Sequence, residues 1–296
     1  MASLKEIRTR IASIRSTRQI TSAMKMVSAS KLRKVQTNIV HLRRYATILK
    51  KITSEALEQI PVDQKSVFAK TRTSGDVLVI CLGSNKGLCG TYNALLIKHT
   101  IRELKKLEHQ KEVARLMVVG KKPALFFQKK GYKLVEADHE LMDKISYESA
   151  CGFAQKLMAL FLKEHFNRII LVYNRFKNAV VHELTAEQIL PLPDDEVREA
   201  AEVDDLPEDD YTVILEPSPQ EAGEVLINRF ICYNTYRIIL DASASEHGSR
   251  MTAMHKATDN ADEMLKTLTL SYNKARQAAV TRELLDIVGG ASNGRK

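Results

Sequence analysis

The sequence predicts an α/β head, with a mainly parallel and Rossmann-like sheet, inserted between two long terminal helices that form an antiparallel left-handed coiled coil. Three observations predict this fold class. Apolar residues recur with coiled-coil spacing near both ends of the 296-residue chain, where helix breakers are scarce. Short apolar runs alternate with helical segments in the middle, as they do in parallel sheets. Hydrophobic residues make up 44% of the chain, which is enough for a buried core.

Residues 1–60 are predicted to form one continuous helix, because the first proline is Pro61 and the first glycine is Gly75. Apolar residues follow one another at alternating steps of three and four in two runs: Leu4, Ile7, Ile11 and Ile14, then Val35, Ile39, Leu42, Ala46 and Leu49. This spacing is typical of the seam of a left-handed coiled coil. Arg18 and Thr21 occupy the seam between the two runs, so we expect the contact with the partner helix to change there.

Residues 220–288 are predicted to form the second long helix, since no proline follows Pro219. Its seam consists of residues at the same alternating steps: Ala261, Leu265, Leu268, Tyr272, Ala275 and Ala279. Gly289 and Gly290 predict the end of this helix. Because neither helix is stable alone in water with an apolar stripe exposed, we expect the two to pair antiparallel, with a parallel homodimeric coil as the alternative.

Residues 75–192 are predicted to form the α/β head. The evidence is three apolar runs and two segments of helical spacing: 77–82, 116–119 and 169–173 for the strands, and 91–108 and 146–165 for the helices. Continuous apolar runs are typical of strands that are buried on both faces of a parallel sheet. The acidic, proline-containing residues 193–219 are predicted to be a linker back to the second long helix.

The charge distribution suggests partners. The formal net charge is +9, and residues 1–60 hold thirteen Lys and Arg against three Glu, whereas residues 194–210 hold ten carboxylates against one Arg. A basic helical segment favours an anionic partner such as nucleic acid, a membrane surface or an acidic protein. A nucleic-acid-binding coiled-coil arm is therefore an alternative function. No apolar run reaches the length of a membrane span, and the basic N-terminus is interpreted as mature sequence rather than a leader.

Catalytic and cofactor motifs do not emerge from the sequence. The glycine-rich turn, residues 83–90, has the spacing G-x3-G-x2-G, which matches neither the dinucleotide-binding nor the phosphate-binding pattern. We therefore expect a structural turn, with no cofactor and no metal. The histidines form no zinc motif and no nucleophile has an adjacent base, so the chain is not expected to be an enzyme by itself. The four cysteines form no CxxC pair, which predicts reduced and buried thiols.

Several segments resemble the gamma subunits of F-type ATP synthases. They are IRTRIASIRSTRQITSAMKMVSASKLRK (7–34), SNKGLCGTYN (84–93), EPSP (216–219), SEHGSRMTAMHKATDNADEM (245–264) and SYNKARQAAVTRELLDIVGGA (271–291). The resemblance covers essentially the whole chain and is weakest between residues 108 and 210. Asn85 and Thr91 stand where that family usually has Asp and Gly.

The resemblance implies a central-stalk rotor that couples proton-driven rotation to ATP synthesis or hydrolysis. Its coiled coil would stand inside a ring of three alpha and three beta subunits. Its head would rest on the membrane c-ring beside the epsilon subunit, at the cytoplasmic face of a bacterial inner membrane. No nucleic-acid partner is implied.

The resemblance also implies site residues. Met24 and Lys25 on the first helix, with Arg276, Gln277, Thr281 and Glu283 on the last, would contact the beta subunits. Ile287, Val288 and Ala291 would lie in an apolar bearing. The residues alone leave a plainer alternative open, in which Met24 and Lys25 belong to ordinary coiled-coil packing and the C-terminal set is a solvated helix face.

Overall fold

The computed structural model describes residues 4–60, 66–68, 70, 72, 75–163, 166–178, 181–192 and 215–293. Contacts divide the chain into two compact units, one made of residues 1–28 and 251–296 and the other of residues 29–250. The predicted acidic linker lies outside the described residues up to residue 214.

Two long helices form the ends of the chain. Helix α1 is Leu4–Glu58 and helix α5 is Pro219–Asn293. The predicted end at Gly289 and Gly290 is wrong, since α5 continues through both glycines. A glycine in a helix interior costs only about 1 kcal/mol relative to alanine, so two of them do not force a helix to stop. Within the described ranges, no helix is both long enough and apolar enough to cross a bilayer.

In the first unit, residues 4–28 of α1 pair antiparallel with α5 from residue 251 onward, and Ala279 is the last residue of α5 described with a half-buried side chain. Thr258 Oγ1 donates to Thr21 Oγ1 at 2.9 Å, and Arg18 forms an ion pair with Asp262, so residue numbers rise on one helix as they fall on the other. The buried or half-buried positions of the two segments follow the predicted seams: Ile7, Ile11, Ile14 and Thr21 on α1, and Ala261, Leu265, Leu268, Tyr272, Ala275 and Ala279 on α5. The seam changes from apolar to polar at Arg18 and Thr21, as the sequence predicts.

In the second unit, the described strands form a five-stranded sheet of order β3-β2-β1-β4-β5. The strands are β1 (Asp76–Leu82), β2 (Ala114–Val119), β3 (Leu134–Asp138), β4 (Phe166–Phe176) and β5 (His182–Leu190). The first four are mutually parallel, and β5 runs antiparallel to β4 at the edge. The helices that connect them are α2 (Tyr92–His109), α3 (Lys121–Lys129) and α4 (Tyr147–Lys163).

The sheet has a core on each face, which explains its continuous apolar strands. In β1, Leu78, Ile80 and Leu82 pack into the core that contains α4 and residues of both long helices. Their neighbours Val77, Val79 and Cys81 pack into the core that contains α2 and α3. Because successive side chains of a strand point to opposite faces, a strand covered on both sides must be apolar at every position.

Gly223, near the start of α5, allows close packing between the two long helices of this unit. A Cβ atom at this position would lie 2.5 Å from Cδ1 of Ile60, which follows α1 and is buried. Further along, the rings of Tyr45 and Tyr233 have centroids 5.9 Å apart, so α1 and α5 are also antiparallel within this unit.

The prediction of four reduced cysteines is wrong for one pair. Cys151 of α4 and Cys232 of α5 form a disulfide with a Cα–Cα distance of 4.6 Å. Cys81 and Cys89 are free and buried, as expected. The two bonded cysteines are 81 residues apart and belong to different helices, so no sequence spacing indicates that they meet.

Candidate functional site

The first group of candidate residues lies on α1 in the first unit. Met24 and Lys25 are both half-buried. Beside them, Ile20, Met26 and Val27 are 60%, 63% and 57% exposed. Exposed apolar side chains on a helix that already packs against another helix indicate a second contact surface, because soluble proteins rarely leave such groups together in water. Met24 and Lys25 therefore lie at the border between the helix pair and an exposed apolar surface.

The second group lies near the end of α5. Arg276, Gln277, Thr281 and Glu283 are all exposed. The Thr281 hydroxyl donates to the backbone oxygen of Gln277 at 2.9 Å, within the helix. Apolar neighbours on the same segment are exposed as well, namely Val280 at 50%, Leu284 at 58% and Leu285 at 65%.

The two groups are separated along the helix pair. Thr258 of α5 lies opposite Thr21, close to Met24 and Lys25. Arg276 follows Thr258 on α5 by roughly 27 Å, at about 1.5 Å per residue. A partner contacting both groups would therefore need two contact zones, or two different parts of a surrounding assembly would each contact one group.

The predicted bearing residues follow the second group. Ile287 is 67% exposed, so its apolar side chain has no cover within the chain as described. Val288 and Ala291 belong to α5, but their side chains lie outside the described part of the structure.

The glycine-rich turn follows β1 at the carboxyl end of the sheet, with β2 and β4 on its two sides. In doubly wound folds this switch in strand order is where ligands bind. Here the carbonyl oxygens of the turn bind a side chain of α5: Arg250 Nη2 donates to Lys86 O at 2.9 Å, and Nε donates to Gly87 O at 3.2 Å. A phosphate-binding loop presents N–H groups, so this turn is arranged for a cation.

The turn is held rigidly. Asn93 Nδ2 donates to Ser84 Oγ at 2.7 Å, and Asn93 Oδ1 accepts from the Ser84 amide at 3.2 Å. Gly120 has φ +101°, and a side chain there would collide with the Gly83 carbonyl. These contacts are consistent with the prediction of a structural turn, and its partner on α5 is Arg250.

Asn85 stands where the gamma-subunit family usually has Asp, and its side-chain amide makes two hydrogen bonds. Its Nδ2 donates to the backbone oxygen of His139 at 2.6 Å, and its Oδ1 accepts from the Lys121 amide at 2.9 Å. An aspartate could accept the second bond but could not donate the first.

A buried ion network fixes α5 to the edge of the sheet. Glu187 of β5 is bonded to Arg237 of α5 and accepts from the Tyr173 hydroxyl at 2.7 Å. Arg175 approaches the same carboxylate at 3.7 Å. Burial raises the pKa of Tyr173, and the Glu187 carboxylate adds to the rise, which keeps the phenol protonated as a donor.

Further along α5, three charged or titratable side chains lie together. Arg250 pairs with Glu246 at 2.7 Å, and both side chains are about nine-tenths buried. Burial lowers the pKa of His247 to about 4, and the positive charges of Arg250 and Lys31 contribute to the shift. Burial raises the pKa of Glu246, which Arg250 partly offsets. His247 is therefore neutral at pH 7.

Sequence reasoning missed these polar contacts between α5 and the sheet. Their only local signal is the i, i+4 spacing of Glu246 and Arg250 and of Arg237 and Asp241. Their effect is to position α5, because they bond to one another and to backbone carbonyls. Among the described residues, no group of three or more His, Cys, Asp or Glu side chains is arranged to hold a metal ion.

The fold and the candidate site define a protein of long paired helices with exposed side chains, and an α/β domain whose core contains residues of both helices. Comparison with known proteins gives the family. A family model described as ATP synthase matches residues 3–293. The ATP synthase gamma chain of Christiangramia forsetii is 43% identical over 291 residues, covering 98% of both chains. That of Chloroherpeton thalassium is 37% identical over 301 aligned positions, covering 99% of this chain and 98% of its own. The chain belongs to the gamma-chain family of ATP synthases.

Solved structures have the same fold. A chain of the Euglena gracilis mitochondrial ATP synthase superimposes with a TM-score of 0.64 at 23% identity, covering 98% of this chain and 94% of its own. A chain from the central stalk and c-ring of the Tetrahymena thermophila mitochondrial enzyme gives a TM-score of 0.55 at 24% identity, covering 80% of this chain and 99% of its own. At these identities the likeness shows the fold alone.

Proposed function

We propose that this chain is the central-stalk rotor of an F-type ATP synthase, which couples proton-driven rotation to ATP synthesis or hydrolysis. The observation that carries the proposal is the exposed surface of the paired helices. Both groups of candidate residues lie beside exposed apolar side chains, including Met26 and Val27 on α1 and Leu284 and Leu285 on α5. The gamma chains named above, which align over nearly the full length, support it.

The physical mechanism is differential contact. A single helix pair inside a ring of three equivalent sites cannot touch all three in the same way. The side that carries Met26 and Val27 differs chemically from the side that carries Thr258 and Asp262. Each contact favours one conformation of the subunit it touches, so turning the pair moves that preference around the ring. Only a difference in contact free energy between conformations can do this, since equal contacts shift nothing.

The proposal gives each group a partner. Met24 and Lys25 contact beta subunits at one level of the helix pair, and Arg276, Gln277, Thr281 and Glu283 contact them at another level along α5. Ile287, Val288 and Ala291 lie in an apolar bearing formed by the alpha and beta subunits. The α/β domain contacts the epsilon subunit and the c-ring.

The chain is a subunit of the complex, and we propose that it has no catalytic residue, cofactor or metal of its own. Catalysis belongs to the alpha and beta subunits, while this chain alternates their affinities for nucleotide. We place it as a peripheral protein at the cytoplasmic face of a bacterial inner membrane, attached through the c-ring.

The test is photo-crosslinking in an assembly reconstituted from this chain with alpha and beta subunits of the same organism. Gln277→benzoylphenylalanine should give adducts with the beta subunit, because Gln277 is exposed in the second group of candidate residues. Leu125→benzoylphenylalanine is the matched control, since Leu125 is 52% exposed but lies on α3 of the α/β domain. It should give no beta adduct.

Equal beta adducts from both positions, or no stoichiometric capture by the ring, would contradict the rotor. The nucleic-acid alternative predicts binding to DNA or RNA that weakens steeply with salt. A steep salt slope in the isolated chain, with no ring capture, would replace the proposal by that alternative.

A further inference from the structure

One covalent link joins the α/β domain to α5. Cys151 lies in α4, five residues into the helix, and Cys232 lies in the part of α5 that belongs to the same unit. The link closes a loop of 81 residues. The opposite attachment of α5, through Glu187 and Arg237, is noncovalent. When the disulfide is reduced, α5 is attached to α4 by noncovalent contacts alone.

Cys151 is the more accessible cysteine of the pair, and it differs in this from the two free cysteines. Cys151 and Cys232 both line a surface groove of about 510 Å³. Cys151 is half-buried, while Cys232 is only 4% exposed. By contrast, Cys81 and Cys89 are buried and free, and burial raises the pKa of the Cys81 thiol to about 12. An incoming thiolate can therefore reach the Cys151 sulfur, and the thiols in the cores stay unreactive.

The groove also holds a positive charge. Arg229 lines it together with the two cysteines, and it precedes Cys232 by three residues on α5, so both lie on one face of the helix. A nearby guanidinium stabilises a thiolate and makes it a better leaving group. The remaining wall is mainly apolar, formed by Phe68, Met158 and Leu162 among others.

We propose that the Cys151–Cys232 pair is a thiol–disulfide exchange site for a dithiol reductant, and that exchange at this site sets how firmly α5 is attached to α4. One thiolate of the dithiol attacks Cys151 Sγ, the bond between the two cysteines breaks, and Cys232 leaves as a thiolate beside Arg229. The second thiol of the reductant, as its thiolate, then attacks the mixed disulfide and releases Cys151. Two electrons and two protons pass to the pair, and the dithiol becomes a disulfide. Oxidation by a disulfide of the glutathione class runs the same steps in reverse.

This inference concerns the chain itself and does not depend on the rotor function, so it is tested on the purified full-length protein. The air-oxidised protein is treated with a dithiol reductant for increasing times and then alkylated. Mass spectrometry should show that Cys151 and Cys232 become alkylated together, while Cys81 and Cys89 react only after unfolding. Reduction should lower the Tm by about 10 °C for a loop of this length, and oxidised glutathione should restore it.

Two variants separate the site from general stability. Cys151→Ser with Cys232→Ser should have the Tm of the reduced protein and should not respond to the dithiol. Arg229→Gln should slow reduction by about threefold or more at an unchanged oxidised Tm. Arg102→Gln, at an exposed arginine of α2, is the matched control and should leave the rate unchanged.

Three results would overturn the proposal, and none of them requires a variant to fold. The air-oxidised protein could expose both cysteines to alkylation without reduction, which would mean that no disulfide forms. The disulfide could resist the dithiol until the chain unfolds, which would make it purely structural. Reduction could also leave the Tm unchanged, which would mean that the link does not hold α5.

Discussion

Removing Arg237 should destabilise the α/β domain strongly, because its buried partner Glu187 would keep only the half-exposed Arg175 as a counter-charge. The Glu187 side chain is 8% exposed, and Arg237 is its closest cation. Arg175 is 3.7 Å away and 45% exposed, so water screens much of its charge. Breaking a buried pair on one side costs about 3–5 kcal/mol, and for a unit of this size we expect Arg237→Met to lower the Tm by about 10 °C. The matched control Arg175→Gln should cost about 0–1 kcal/mol.

The double variant Arg237→Met with Glu187→Gln supplies the critical comparison. It removes both charges, and the glutamine oxygen can still accept from Tyr173, so it should recover most of the lost stability. Thermal unfolding followed by circular dichroism measures all variants, and hydrogen exchange of β5 and α5 localises the change. The reasoning is refuted if the double variant is no more stable than Arg237→Met, or if Arg175→Gln costs as much.

The remaining predictions concern α5. Arg250→Ala should cost about 3 kcal/mol, because it leaves Glu246 buried without its partner and removes the bonds to the glycine-rich turn; urea unfolding measures the loss. The folded-state pKa of His247 is below its usual value, so the unfolded state takes up a proton first as the pH falls. Stability from this group is complete above about pH 7 and declines by about 3 kcal/mol as the pH falls from 6.5 through 4. His247→Gln should flatten that decline in urea titrations at several pH values. Ala275→Pro should cost about 3 kcal/mol or more by breaking α5, and should lower ATP-driven proton pumping in vesicles.

Each of these three has a control and a contrary outcome. Arg250→Lys keeps the charge and should retain part of the stability; a loss equal to that of alanine would mean that the charge is irrelevant. The pKa of Glu246 is raised, so this group adds stability as the pH falls and opposes the effect of His247. The test of His247 is therefore the difference between the variant and the wild type in how the free energy of unfolding depends on pH. Identical slopes would refute the His247 account. Ala275→Ser keeps the backbone hydrogen bonds of α5 and should preserve pumping, whereas full pumping in Ala275→Pro would contradict the coupling role.

Parts of the head were not predictable from local pattern, and the reasons differ. Strand β3 (Leu134–Asp138) is only half-buried along its length, so its sequence carries no continuous apolar run. Strand β5 (His182–Leu190) is an edge strand with mixed burial, and polar residues interrupt its hydrophobic pattern. The strands β1, β2 and β4 were predictable, because burial on both faces leaves an apolar run in the sequence.

The candidate site divides in a similar way. The resemblance to a known family predicted the candidate residues on α1 and α5. The structure adds that four of them are exposed, namely Arg276, Gln277, Thr281 and Glu283. The bearing contact, with Val288 and Ala291, stays a prediction. The exposure of these residues was predictable only in part. The spacing of apolar residues shows which side of a helix packs against its partner helix. Only the structure shows that apolar side chains such as Leu285 lie on the opposite, exposed side.

The sequence by itself determined the two long helices, their seams and the parallel core of the sheet, because each of these depends on a repeat that is written along a short stretch of chain. The tertiary structure alone decided the bond of Arg250 to the glycine-rich turn, the pairing of Glu187 with Arg237 and the disulfide between Cys151 and Cys232. These partners are 163, 50 and 81 residues apart. Such contacts arise only when the faces of different elements meet, and no local period encodes which faces those are.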